Sequence, residues 1–254
     1  MKKFVKAIVF MLPVAGTLFV TSCKKDDHDH EPENGTVSIK MEHVWGMAES
    51  DFDLNTQLVH PMNNDTMTFT TFKYYISNFK LKKSDGTWWT HPESYFLVDL
   101  SNSSSLTLNL GSIPVGEYTE MQYVLGVDST RNVSGAQSGA LATTNGMFWS
   151  WNSGYIMLKA EGTSPQSGTG SFSFHLGGFS GTNNVVTTKN VVFGSNNLTI
   201  SGDKNSEVHL KANPAKLFHA DPLSSGTTVH MPGAKAKQMA TNFYGGVSFD
   251  HIVE

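Results

Sequence analysis

From Thr36 onward the chain is a succession of short runs in which apolar and polar residues alternate, with little of the spacing expected of helices. Such runs cover residues 37–44, 66–71, 75–81, 95–99, 106–110, 117–127, 155–160, 170–176, 185–193, 197–201 and 247–253. Clusters of Gly, Asn, Asp and Ser separate them, as in Ser84-Asp-Gly86 and Pro114-Val-Gly116. Residues 206–216 read as a strand followed by a turn. One helix is predicted within 232–244, opened by Gly233 and Ala234, with Ala236, Ala240 and Phe243 on one face. The pattern predicts an all-β chain: an antiparallel β-sandwich or barrel-like single domain over 36–254 with at most one short helix.

The densest aromatic run is Asn145-Gly-Met-Phe-Trp-Ser-Trp-Asn-Ser-Gly-Tyr155. Alternation puts Trp149 and Trp151 on one face of a strand, and Gly146 and Gly154 mark tight backbone at its ends. On burial habits alone this is an aromatic core strand.

Residues 1–22 have a different character. Lys2, Lys3 and Lys6 precede an apolar run over 7–20 that is broken by Pro13 and Gly16. A basic start, a short apolar centre and small residues before Cys23 form a signal peptide, too short and broken for a membrane span. Val20-Thr-Ser-Cys23 resembles a bacterial lipobox, in which the cysteine is lipidated and becomes the first mature residue. Residues 23–35 then form a polar tether without apolar residues, expected to be disordered, in which His28 and His30 lie among acids. The lysines and acids after Cys23 also resemble a surface-export signal of Bacteroidetes lipoproteins. These features predict lipid anchoring in the cell envelope, at the outer membrane.

Signal removal takes three of the 18 basic residues and none of the 22 acidic ones, which leaves a net charge of −7 with histidine neutral. That charge argues against nucleic acid as a partner. Cys23 is the only cysteine, so a lipidated chain has no thiol and any soft-metal site must use histidine or methionine. No nucleophile elbow, phosphate-binding glycine loop, paired-histidine zinc helix or c-type haem attachment pair occurs, and a binding protein rather than an enzyme is expected. Asp128 and Arg131 read either as a functional pair or as a turn held by its aspartate.

Several stretches, kept in order, resemble the methanobactin-associated copper-binding MbnP family. They are Phe72-Lys-Tyr-Tyr-Ile-Ser-Asn-Phe-Lys-Leu81, Ser94-Tyr-Phe-Leu-Val-Asp99 and Ile113-Pro-Val-Gly-Glu-Tyr118, then Leu125-Gly-Val-Asp-Ser129 and Gly146-Met-Phe-Trp-Ser-Trp-Asn-Ser-Gly-Tyr-Ile156, and last Glu161-Gly162 and Phe174-His-Leu-Gly-Gly178. The resemblance implies a β-rich envelope protein that binds copper. It also implies a tryptophan that a partner di-haem peroxidase of the MbnH type oxidises to kynurenine.

Ten histidines and eleven methionines leave the ligands to be chosen by position. The expected metal ligands are His43, His175 and His251. His43 shares parity with Trp45 and Met47, and His175 closes an aromatic strand before two glycines. His251 lies in the last strand, which is expected to neighbour the first and so to bring His251 to His43. His91, two residues after Trp89, and the adjacent pair His230-Met231 are the alternative ligands; neighbours on a strand point apart, so that pair needs a turn. His60, His209 and His219 have no context that raises them. The oxidisable tryptophan is sought at Trp149 and Trp151 first, then at Trp45. The competing expectation is a metal-free sandwich that binds glycan or peptide through surface aromatics.

Overall fold

The computed structural model describes residues 34–135, 137–150, 153–219 and 221–254. Cys23, His28, His30 and Trp151 lie outside the described residues. The predicted β-architecture holds: two curled sheets pack face to face around a shared core. Among the described residues no helix is long and apolar enough to cross a membrane.

The smaller sheet has five strands. Asn34–Trp45 lies at its centre, with Asn205–Ala212 on one side and Val247–Val253 beyond it. Thr107–Pro114 and Ser50–Asp51 pair along the other side. Alternation decides its faces: Val37, Ile39 and Met41 are buried, while Ser38, Lys40 and Glu42 face outward. Asn34–Trp45 and Asn205–Ala212 run parallel, against the antiparallel expectation, although most pairs in the fold are antiparallel. The first and last strands are therefore not neighbours, because Asn205–Ala212 stands between them.

The larger sheet has eleven strands. Its spine runs Thr187–Val192, Gly116–Leu125, Thr66–Lys83, Gly154–Thr163, Ser171–Gly177, Thr228–Val229. The runs predicted at 66–71 and 75–81 are one 18-residue strand, since Phe72 and Tyr74 continue the buried face. Its register shifts near Asn78, a non-glycine residue at φ 54°. Tyr74, Tyr75, Ile76 and Ser77 are buried on both faces. The outward side there is covered by the segment around 139–141, to which Tyr75 and Tyr155 donate through their hydroxyls at the Ala140 and Leu141 carbonyls.

The predicted helix is Ala234–Gly245, with Ala236, Met239, Ala240, Phe243 and Tyr244 buried. Phe243 meets Phe72 and Tyr74 edge-on. The strand read at 206–216 is Asn205–Ala212, and Pro214–Leu217 makes the turn.

Candidate metal centre

Two antiparallel strands, Gly154–Thr163 and Ser171–Gly177, build the platform. Phe172, Phe174 and Leu176 point into the core, so Ser173, His175 and Gly177 face outward. The register sets Glu161 across from Ser173 and Lys159 across from His175. Thr228–Val229 adds in parallel to Ser173 and Phe174 and delivers the next residue, His230, onto the same surface.

The result is a gathering of donors. The His175 and His230 rings stack with centroids 4.3 Å apart and planes inclined by 25°. His175 Nε2 lies 2.7 Å from Glu161 Oε1. The Ser173 hydroxyl oxygen is 3.3 Å from His175 Nε2, 2.7 Å from His230 Nε2 and 3.4 Å from Glu161 Oε1. Two imidazoles and a carboxylate thus surround one small hydroxyl. Burial holds the His175 pKa below its ordinary value, with the neighbouring Lys159 and His230 adding to this and Glu161 opposing it. The ring is kept neutral, which is the metal-binding form. Burial resists ionisation of Glu161, but the hydrogen bond from His175 and the Lys159 charge outweigh it and lower its pKa.

Both glycines after His175 are required by close approach. A Cβ on Gly177 would sit 2.6 Å from Trp149 Cζ3, so the indole lies over the outward face two residues along from His175. Gly178, at φ 123°, would drive a Cβ to 2.5 Å from the Asn183 carbonyl oxygen and 3.3 Å from Pro232 Cβ. Pro232 follows His230-Met231, so this contact anchors the segment that carries His230.

The remaining expected ligands lie elsewhere. His43 is on the inward-facing side of its strand, with Nε2 3.1 Å from the buried Tyr74 hydroxyl. Burial pushes its pKa down to about 4. Trp45 is buried, stacked on Phe52, and donates from Nε1 to the Val59 carbonyl, whereas Met47 lies past the strand end and is 90% exposed. The three do not converge. His251 does not meet His43 but stacks on His209. His91 has both ring nitrogens engaged with backbone, Nε2 at the Leu110 carbonyl and Nδ1 at the Glu93 amide, so it is a structural residue beside Trp89. His230 joins His175, but its neighbour Met231 is 70% exposed and is not among the contacts of the cluster. Glu161 and Ser173 carry no sequence signal as site residues, because their place depends on cross-strand register. Asp128 caps the helix Ser129–Asn132 and accepts from Tyr95 and Asn78 side chains, so its role is structural.

A pocket of about 510 Å³ lies elsewhere, along Lys40, Glu42, His43, Asp51 and Asp53. Its Phe52 is buried, so it offers charge rather than an exposed aromatic platform for a sugar ring. Among the described residues no group of three or more His, Cys, Asp or Glu side chains is placed to hold a metal ion. At the His175 cluster, the Ser173 hydroxyl occupies the point where the donors meet.

The fold and this cluster define a β-sandwich protein with paired histidines on an outward sheet face. A family model, MbnP, matches residues 34–236, and the chain belongs to the MbnP family. The solved structure of MbnP from Methylosinus trichosporium superposes with a TM-score of 0.51 at 16% identity, covering 79% of this chain and 82% of that one. At that identity the likeness concerns the fold alone. No curated protein matches.

Proposed function

We propose that the protein is a copper-binding lipoprotein of the cell envelope, anchored through Cys23, that takes up or hands on copper through His175 and His230. The observation that carries this reading is the convergence of His175, His230 and Glu161 around the Ser173 hydroxyl. Copper(I) accepts two imidazoles, and with no thiolate in the mature chain the paired rings are the donors that the fold brings together. Membership of the MbnP family, with its link to copper, supports the same ion. Glu161 Oε1 lies at His175 Nε2, the nitrogen that faces Ser173, so it stands beside the ion rather than behind the ring and partly balances its charge once the ion displaces the Nε2 proton. Among the described tryptophans, Trp149, over Gly177 on the same face, is the indole we assign for oxidation to kynurenine by a di-haem peroxidase of the MbnH type. The ion is cargo, and the chain binds and presents it rather than catalysing a reaction.

Competition for copper(I) against a chromophoric chelator tests the site. The expected result is one tight equivalent in the mature protein, lost in His175→Ala and in His230→Ala. Glu161→Gln should weaken it about 10- to 100-fold. Binding unchanged in both alanine variants would rule the pair out. Peptide mapping of protein from its native host locates any kynurenine, and its absence at Trp149 would remove that part of the reading.

A further inference from the structure

We propose that His209 and His251 form a second cation site, on the outward face of the five-stranded sheet, for a borderline divalent ion of the zinc or copper(II) type. Nothing in the reading above depends on it, and it lies on the other sheet.

Glu207, His209 and Lys211 are the outward residues of Asn205–Ala212. The last strand is bulged opposite this point, between the pairs Val208–Ile252 and Leu210–Phe249. The bulge brings Asp250 and His251 alongside His209. The two imidazoles stack with centroids 4.1 Å apart and planes inclined by 23°.

Each ring is held by a carboxylate at the same nitrogen. Glu42 Oε1 is 2.8 Å from His209 Nδ1, and Asp250 Oδ2 is 2.8 Å from His251 Nδ1. A carboxylate at Nδ1 fixes the proton there and leaves Nε2 with its lone pair, the arrangement that orients metal-bound histidines. His209 Nε2 is shielded from solvent and makes no hydrogen bond. Glu207 Oε1 nevertheless stands 2.9 Å from it, off the hydrogen-bonding direction. A buried lone pair facing a carboxylate at that distance is repulsive unless positive charge lies between them. Either a second proton or a metal ion supplies that charge. The nearby Lys211 ammonium is already paired with Glu49 and Asp250, each at 3.0 Å.

The donor set decides the ion. Two imidazole nitrogens and the Glu207 carboxylate, without thioether or thiolate, suit zinc or copper(II) better than copper(I). As they stand the three are not placed around one point, and closing the site requires the His251 side chain, 49% exposed, to turn inward from its Asp250 contact. His251 also lies outside residues 34–236, the stretch matched by the family model, so the pair is not contained in the family match.

The test uses the mature His175→Ala/His230→Ala protein, so that loss of the first site cannot be confused with loss of this one. Isothermal titration with zinc, and cobalt(II) absorption as its spectroscopic counterpart, should show one equivalent bound at micromolar concentration or tighter. His209→Ala and His251→Ala should each abolish it, and Glu207→Gln should weaken it about tenfold. Histidine ring nitrogen spectra of the unsubstituted protein, which need no variant, should show zinc shifting Nε2 of both residues. Uptake only at millimolar zinc, retention of the equivalent in His209→Ala, or ring nitrogens that respond to acid but not to zinc would each overturn the proposal in favour of a proton at Nε2.

Discussion

His43 should make the protein lose stability on mild acidification, by an amount the structure allows us to work out. The imidazole sits against Tyr74 and Phe72, at 5.8 and 6.4 Å between ring centroids, and burial lowers its pKa from 6.5 to about 4. In the unfolded chain the ring takes a proton near its ordinary value; in the folded chain it does so only near pH 4. Above pH 6.5 both states hold it neutral and nothing is lost. Between pH 6.5 and 4 the unfolded state binds the proton first, so folding weakens by about 1.4 kcal/mol per pH unit. Across the window this comes to about 3 kcal/mol. His43→Gln keeps a polar partner for the Tyr74 hydroxyl and removes the titration. Urea unfolding of both proteins at pH 7 and pH 4 isolates the effect, since the carboxylates common to both cancel. The parent should lose about 3 kcal/mol more than the variant on acidification. Parallel losses would refute the reasoning, and a parent that resists acid better would reverse its sign.

Two further outcomes follow from close contacts. Gly177→Ala would force a Cβ to 2.6 Å from Trp149 Cζ3 and 2.7 Å from the Tyr155 carbonyl oxygen. Overpacking of this kind costs about 1–3 kcal/mol, so thermal unfolding should move down by several degrees with a change in tryptophan emission. Asp128→Ala removes the acceptor shared by the Arg131 amide, the Asn78 amide and the Tyr95 hydroxyl. Chemical denaturation should show a loss of about 2–3 kcal/mol, and Asp128→Asn, which keeps one acceptor oxygen, should lose less.

Strand alternation made the inward faces legible: Val37, Ile39 and Met41 lie inside as their parity requires, and the helix Ala234–Gly245 buries the face read for it. What alternation cannot carry is order across a sheet. Asn205–Ala212 is legible as a strand, but nothing local shows that it inserts between the first and last ones, and so the expected meeting of His251 with His43 does not occur. The same limit hid Glu161, whose role comes from facing Ser173 across a strand pair. The close packing just after His175 is legible in the two glycines that follow, and both are dictated by contacts. His230 is adjacent to Met231 in sequence, yet the ring it meets is His175, brought there by a two-residue parallel strand too short to leave a pattern. His209 carried no signal because its meaning lies in a bulge on the neighbouring strand.

The central place of Asn34–Trp45 has a consequence for how the chain acquires its shape. Apart from the short Ser50–Asp51 pairing at its end, its hydrogen-bonding partners begin at Thr107 and Asn205, so one side of this strand stays open until more than 200 residues are available. Early strands cannot settle in the order in which they are synthesised, because the first must wait for nearly the last. Contacts of such sequence separation slow two-state folding to milliseconds or seconds. Val37, Ile39 and Met41, buried in the folded protein, lack their final cover until then, and an uncovered strand of this kind is open to self-association.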